Sequence, residues 1–184
     1  MMTPLELQQR GLLDLIKKRG GPPSDAYLST VAESAGLEMI REIAIWWREL
    51  QISAQCYFTS RLLKRLGIFE AMVTDYFNES ATSPFVEELS HDFLLFAEEH
   101  GDALVRSVAQ FESGFLEARA GSTKVYDVLW DRHPDEVFGA LESGRPLPDA
   151  DASCAYRLRI GRELPGMFQC TRESAVRKSQ DVSD

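Results

Sequence analysis

The sequence has few of the features that mark membrane proteins, secreted proteins or nucleic-acid-binding proteins. Its 20 lysines and arginines stand against 29 aspartates and glutamates, which gives a net charge of −9. A protein that contacts nucleic-acid phosphates needs a basic surface, and this charge balance argues against that class. No apolar run approaches the roughly 18 residues of a transmembrane helix. We therefore expect neither a nucleic acid nor a membrane among its partners.

Cysteine and histidine are also scarce, with three of each in 184 residues. Cys56, Cys154 and Cys170 are far apart and odd in number, which is typical of reduced thiols rather than of a disulfide framework. The polar N-terminus carries no secretory signal, so we expect a cytoplasmic location. The sequence has no Cys-x-x-Cys or His-Glu-x-x-His motif, and it therefore does not indicate a zinc site.

Catalytic motifs are equally sparse. Glu88 and His91 form one Glu-x-x-His motif, whereas a di-iron helical bundle needs two such motifs and further glutamates. A stand-alone metal-dependent enzyme or sensor that uses Glu88, His91 and Glu112 is one alternative interpretation. Cys56 lies beside two aromatic residues and is interpreted as a buried apolar thiol. The sequence thus predicts no catalytic residue and no cofactor or metal held by this chain.

Residues 1–120 carry helical signals. A capping box at Thr3–Glu6 begins the first helix, Ser24 or Asp25 can cap a second one, and Gly36 can close it. Gln51–Phe58 is interpreted as a connection. Further helix boundaries are predicted at Gly67, Ser83-Pro84, Gly101 and Asp102. This pattern favours a bundle of six or seven short-linked helices.

The segment Leu37–Leu50 is apolar on nearly all faces. A helix of this kind is buried on all sides, either in the core of its own bundle or under another chain. Its adjacent residues Trp46 and Trp47 allow the same two interpretations. Both rings can belong to the bundle core, or one can face a partner, since tryptophan is enriched among interface anchors.

After Gly121 the pattern changes from helical to β. Lys124–Trp130 is rich in β-branched and aromatic residues and predicts a strand, and Pro134 opens a short helix that Gly144 closes. Tyr156–Ile160 alternates strictly and can pair with Met167–Thr171 through a Pro-Gly turn. The fold class is therefore α+β, with a helical bundle over residues 1–120 and a three-stranded antiparallel module with one helix over 121–172. Residues 173–184 are predicted to be a disordered tail.

Arginines lie on one face of the predicted hairpin. The alternation places Arg157 and Arg159 outward, with Arg162 nearby, in a chain that is otherwise acidic. They can be a solvated face or a charge that protects an edge strand from aggregation. Alternatively, the strand accepts an extended peptide by β-augmentation, and the arginines select acidic side chains. The predicted peptide-binding residues are Tyr156, Arg157, Arg159 and Arg162.

Several stretches together resemble a known family. They are Thr59–Phe69 (TSRLLKRLGIF), Asp92–His100 (DFLLFAEEH), Val108–Glu112 (VAQFE) and the strand–helix–hairpin that ends in Leu164-Pro165-Gly166. In this order they resemble the partner proteins of multinuclear non-heme iron-dependent oxidative enzymes, such as the small subunits of methanobactin and thiaglutamate biosynthesis. The similarity covers roughly residues 37–171 and consists of apolar patterns.

This resemblance implies a non-catalytic subunit. The enzymes of the family are iron-containing TIM barrels that modify cysteines in ribosomally made peptides, so iron is expected on the partner enzyme and not on this chain. The partner protein helps to hold the leader of the precursor peptide, which leaves the cysteine end for the iron site. A heterodimer with the barrel enzyme is expected. The residues assigned to its interface are Trp46, Trp47, Trp130 and His133. An adaptor unrelated to peptide modification is a further alternative.

Overall fold

The computed structural model describes residues 3–19, 21–23, 25–79, 86–99, 102–151 and 153–174. A mostly helical N-terminal part is followed by a small β module, as the sequence predicts. The helices are α1 (Pro4–Ile16), α2 (Ala26–Ala32), α3 (Gly36–Gln55), α4 (Tyr57–Leu66), α5 (Phe69–Glu79), α6 (Val86–Glu98), α7 (Ala103–Arg119) and α8 (Pro134–Ser143). The strands are β1 (Tyr126–Trp130), β2 (Cys154–Ile160) and β3 (Phe168–Ser174).

Most predicted helix caps are confirmed. Thr3 and Glu6 form the reciprocal capping box of α1, and the side chain of Asp25 accepts the N–H groups of Tyr27 and Leu28 at the start of α2. Asp102 caps α7 in the same way. The prediction for Gly36 is wrong, because α2 ends at Ala32 and Gly36 is the first residue of α3. The predicted helix start at Ser83-Pro84 lies outside the described residues.

The predicted connection Gln51–Phe58 is also wrong. Helix α3 continues to Gln55, and Cys56 alone separates it from α4. Cys56 is fully buried and its thiol donates to the carbonyl of Ser90. Burial raises the pKa of this thiol, which agrees with its interpretation as a core residue. Gly67 ends α4 in the left-handed conformation at φ +71°, a geometry that favours glycine.

The sheet has the order β1-β2-β3 and is antiparallel throughout. In the turn between β2 and β3, Gly166 has φ +67° and the Met167 N–H donates to the Leu164 carbonyl, as a Pro-Gly turn requires. Strand β3 extends to Ser174, so Glu173 and Ser174 are part of the sheet and not of a tail. The rest of the predicted tail lies outside the described residues.

One hydrophobic core runs through both parts of the described chain. It includes Leu62 and Phe93 from the bundle and Val128, Leu158 and Ile160 from the sheet. Helix α7 connects the bundle to the sheet, because it packs on α6 and α4 and also on β1 and β2. The β module is therefore held on α7 by apolar packing. Among the described residues, no helix has the length and apolar character needed to cross a membrane.

Candidate interaction surfaces

The outer face of the sheet holds the predicted arginines, but they are already paired. The Arg157 Nε atom lies 2.5 Å from a Glu173 carboxylate oxygen, and the Arg159 Nε atom lies 3.6 Å from an Asp127 oxygen. The bond to Glu173 raises the pKa of Arg157. Two arginines and two carboxylates thus alternate across the three strands. This face is charge-balanced rather than basic.

The predicted role of the arginine strand as a sheet edge is wrong. β2 is the central strand and pairs with β1 on one side and β3 on the other. At the β1 edge, the carbonyl of Leu129 accepts the Ser107 hydroxyl of α7 at 2.8 Å. Within the described part of the chain, the backbone of β3 pairs with β2 and forms no comparable bond to a helix. Among the described residues, β3 is therefore the more open of the two edges of this sheet.

Tyr156 does not lie on the same face of the sheet as Arg157 and Arg159. It lies on the inner face of the sheet, where its ring meets that of His133 edge to face at 5.0 Å between centroids. The Cys154 thiol lies beside it, 2.8 Å from an Asp151 carboxylate oxygen. This thiol also raises the pKa of the Tyr156 hydroxyl through a hydrogen bond. Arg162 follows β2 and is exposed. The four predicted peptide-binding residues therefore do not form one site.

Trp130 does not fit its assigned interface role, whereas His133 is only partly buried. Trp130 is 2% exposed and packs edge-on against Phe138 at 5.4 Å between centroids, so it is a core residue. Its indole Nε1 atom and the Nδ1 atom of His133 are buried without a hydrogen-bond partner among the described residues. His133 precedes α8 but its side chain does not cap that helix. A surface role for Trp130 is excluded by its burial.

The outer face of α3 is exposed, which contradicts the interpretation that this helix is buried in the core of its own bundle. Trp46 is 58% exposed and Trp47 is 51% exposed, and their rings lie 6.2 Å apart. At 100° per residue, the exposed apolar residues of α3 share a sector about 120° wide. We call this set the α3 apolar face; it comprises Met39, Ile40, Ile43, Trp46, Trp47 and Leu50. Core burial of both tryptophans is therefore wrong.

A groove adjoins the α3 apolar face. It has a volume of about 520 Å³ and is formed where α3 passes the end of α4 and the start of α5. Trp46 and Leu50 form its apolar wall, and Lys64, Glu49 and Glu70 supply charge. Burial and the neighbouring Glu70 raise the pKa of Glu49. The groove extends the apolar face with a polar rim.

A second cleft lies between the bundle and the β module, and the sequence patterns did not reveal it. We call it the aromatic cleft; its volume is about 550 Å³. Phe111 lies at its centre, 4.5 Å from the Phe138 ring and 5.7 Å from the Phe168 ring between centroids. The cleft also includes Tyr57, Phe58, Phe115 and Glu112. These residues come from distant parts of the chain, so no spacing along the sequence could have grouped them.

Glu112 forms a rigid part of this cleft. Its carboxylate accepts the backbone N–H of Phe58 at 3.0 Å and that of Thr59 at 2.9 Å. It thereby caps the start of α4, because the N-cap residue Cys56 makes no side-chain hydrogen bond to the helix. Burial raises the pKa of Glu112. The role of Glu112 seen in the structure is that of a cap.

The residues of the metal-enzyme alternative are dispersed. His91 lines a small cleft of about 240 Å³ between α6, α7 and β1, and Glu88 has an exposed side chain on α6. Within the described part of the chain, no three His, Cys, Asp or Glu side chains are grouped so that they could hold one metal ion. Glu88, His91 and Glu112 are therefore not brought together as a ligand set.

Comparison of the chain with family models, with curated proteins and with solved structures gives no match.

Proposed function

We propose that this chain is a non-catalytic partner subunit. It docks on an iron-dependent TIM-barrel oxidative enzyme, binds the leader of a ribosomally made precursor peptide, and thereby presents the peptide's cysteine to the iron site. The observation that carries the proposal is the α3 apolar face, with Trp46 and Trp47 both more than half exposed. The order of a helical bundle followed by a strand–helix–hairpin module also agrees with the family resemblance.

The α3 apolar face has the composition of a docking surface. Single exposed apolar residues are common, but a contiguous set on one helix face marks an interaction site in a soluble protein. Tryptophans are enriched among the energetic anchors of interfaces. Trp46 also borders the adjoining groove, whose rim carries Lys64 and Glu70. An apolar centre with a charged rim is the usual anatomy of a protein interface.

The leader is assigned to the open edge of β3. An edge strand presents unpaired N–H and C=O groups, and an extended peptide can bind them as an additional strand. The β1 edge is a poorer candidate because the Ser107 hydroxyl already occupies the Leu129 carbonyl. The outer arginines are not needed for this pairing, since Arg157 is held by Glu173.

The advantage of such a subunit is proximity. When the leader is held, the cysteine end of the same peptide reacts at a high effective concentration, and the chemistry itself is unchanged. The iron and its ligands belong to the partner enzyme in this proposal. The contribution of this chain is to bind and orient the peptide.

Co-expression with an iron-dependent TIM-barrel enzyme of the proposed class tests the docking step. The wild-type chain is expected to co-purify as a stable heterodimer. Trp46→Ala combined with Trp47→Ala should abolish co-purification while the thermal unfolding midpoint changes little, because both rings are largely exposed. Leu129→Ala is a matched control, since Leu129 is 57% exposed on the sheet. Equal co-purification of all three proteins, or of none, would contradict the proposal.

A further inference from the structure

The aromatic cleft has the size and lining of a binding site. Its volume of about 550 Å³ falls within the roughly 300–1,000 Å³ of typical ligand sites. Phe111 is buried, whereas Phe58, Phe115, Phe138 and Phe168 are only partly buried. Their partly exposed rings offer an apolar surface that a further side chain can cover. The carboxylate of Glu112, fixed by two backbone N–H groups, keeps the start of α4 in place at the cleft.

The cleft lies where an added strand would place its side chains. Of the described sheet residues, Phe168 of β3 lines the cleft, while its β2 neighbour Ile160 is fully buried in the core. A peptide paired with the β3 edge runs about 4.8 Å from β3 and directs alternate side chains to the inner face. A residue opposite Phe168 therefore lies above the aromatic cleft.

The charge around the cleft favours a basic ligand. Asp135 and Glu142 on α8 are exposed, line the cleft, and form no ion pair with other described residues. Among the described residues of the lining, these two exposed carboxylates outnumber the one cation, Arg119 on α7. An acidic peptide meets repulsion here, and a lysine or arginine beside the apolar anchor is attracted.

We propose that the aromatic cleft is the specificity site for the bound peptide. It accepts a bulky aromatic or branched apolar side chain from an extended segment that pairs with β3, and it prefers a neighbouring lysine or arginine. The inference rests on the proposed function, because it names the class of peptide that the β3 edge selects. It reverses the charge preference that the hairpin arginines suggested.

Selection from a random peptide library displayed on phage, with the full chain immobilised, identifies the preferred peptides. The enriched peptides should share an aromatic or branched apolar residue with a lysine or arginine close to it. Fluorescein-labelled copies of the strongest binders then give Kd values by anisotropy. Enrichment of acidic peptides would overturn the charge part of the proposal, and enrichment without an apolar anchor would overturn the rest.

Two matched pairs of variants locate the binding site. Ala54→Phe fills the mouth of the cleft from an exposed helix position, and Ala71→Phe adds the same group at an exposed position of α5. We expect Ala54→Phe to weaken binding by about tenfold or more and Ala71→Phe to leave it unchanged. The double variant Asp135→Asn with Glu142→Gln should weaken the binding of basic peptides severalfold and reduce the salt dependence of that binding. The control double variant Glu42→Gln with Asp75→Asn removes the same charge elsewhere and should leave the binding unchanged.

The outcomes separate this inference from the function on which it rests. If peptides bind and Ala54→Phe has no effect, the cleft proposal is overturned while strand addition to β3 stands. If binding depends on Trp46 instead, the peptides occupy the α3 apolar face and the cleft proposal is again overturned. If no peptide is enriched, both this inference and the leader-binding function are contradicted.

Discussion

Lys17 shows how a single buried charge affects the stability of the N-terminal helices. Its side chain is 1% exposed at the end of α1, with the ammonium group 5.4 Å from the centre of the Phe77 ring. Burial is the main cause that lowers its pKa from 10.5 to about 8, and Arg19 and Arg48 add repulsion. The folded state therefore binds the proton of Lys17 less tightly than the unfolded chain does.

The first prediction follows from this difference. The free energy of unfolding should rise as the pH increases from about 8 to 10.5 and then level off, because the unfolded chain holds this proton through that range. Lys17→Met should lose this part of the pH dependence. Urea denaturation at several pH values measures it. Lys18→Met, at an exposed neighbour, is the control, and parallel pH profiles for all three proteins would contradict the assignment.

Glu112 gives a second prediction at the residue scale. Replacing it with alanine leaves the N–H groups of Phe58 and Thr59 without their acceptor in a buried place. Such a loss costs about 1–3 kcal/mol. Glu112→Ala should therefore lower the free energy of unfolding by this amount, whereas exposed Glu99→Ala should change it little. Equal stability of the two variants in urea titrations would show that Glu112 is not a structural cap.

At the scale of elements, α8 is held to the bundle by arginines of α4. Arg61 donates to the Leu141 carbonyl, and Arg65 donates to the carbonyls of Ala140 and Gly144. Cationic side chains at a helix C-terminus donate hydrogen bonds to its free carbonyls and interact favourably with the negative end of the helix dipole. This contact fixes the wall of the aromatic cleft that carries Phe138. The position of α8 is thus coupled to α4 across the cleft.

The third prediction concerns this contact. Arg65→Met should increase amide hydrogen exchange in α8 by an amount that corresponds to about 0.5–1.5 kcal/mol, because two carbonyl acceptors lose their donor. Exchange in α1 and α2 should not change. Lys64→Met is the control, since the Lys64 ammonium group bonds Ser53 and not α8. Unchanged protection of α8 in Arg65→Met would contradict the role of the arginine.

Local sequence signals predicted where the helices and strands lie, but they did not predict what covers or flanks each of them. The capping box at Thr3–Glu6, the Gly67 break and the alternation of Tyr156–Ile160 depend on neighbouring residues, and they were predicted correctly. Periodicity cannot tell whether an apolar helix face is covered by this chain or by a partner, so the core and the interface interpretations of α3 both stayed open until the exposure of Trp46 and Trp47 was known. It also cannot give strand order, so β2 was taken for an edge when β1 and β3 in fact flank it.

At the scale of the whole molecule, the described chain presents two distinct surfaces. The α3 apolar face lies on the bundle, and the open β3 edge with its aromatic cleft lies at the β module. One continuous core joins them, so a peptide held at one surface has a defined position relative to a protein docked at the other. The cleft was not predictable from sequence, because Phe58, Phe111, Phe138 and Phe168 meet only through tertiary packing.

The proposed function is tested most directly by the KM of the proposed heterodimer for a precursor peptide with and without its leader. If this chain holds the leader, the full-length precursor should have a KM at least about tenfold lower than a leaderless fragment. The kcat at saturation should be similar for both, because the cysteine reacts at the same iron site. Equal KM values for the two peptides, or a loss of kcat alone, would contradict a leader-binding role for this chain.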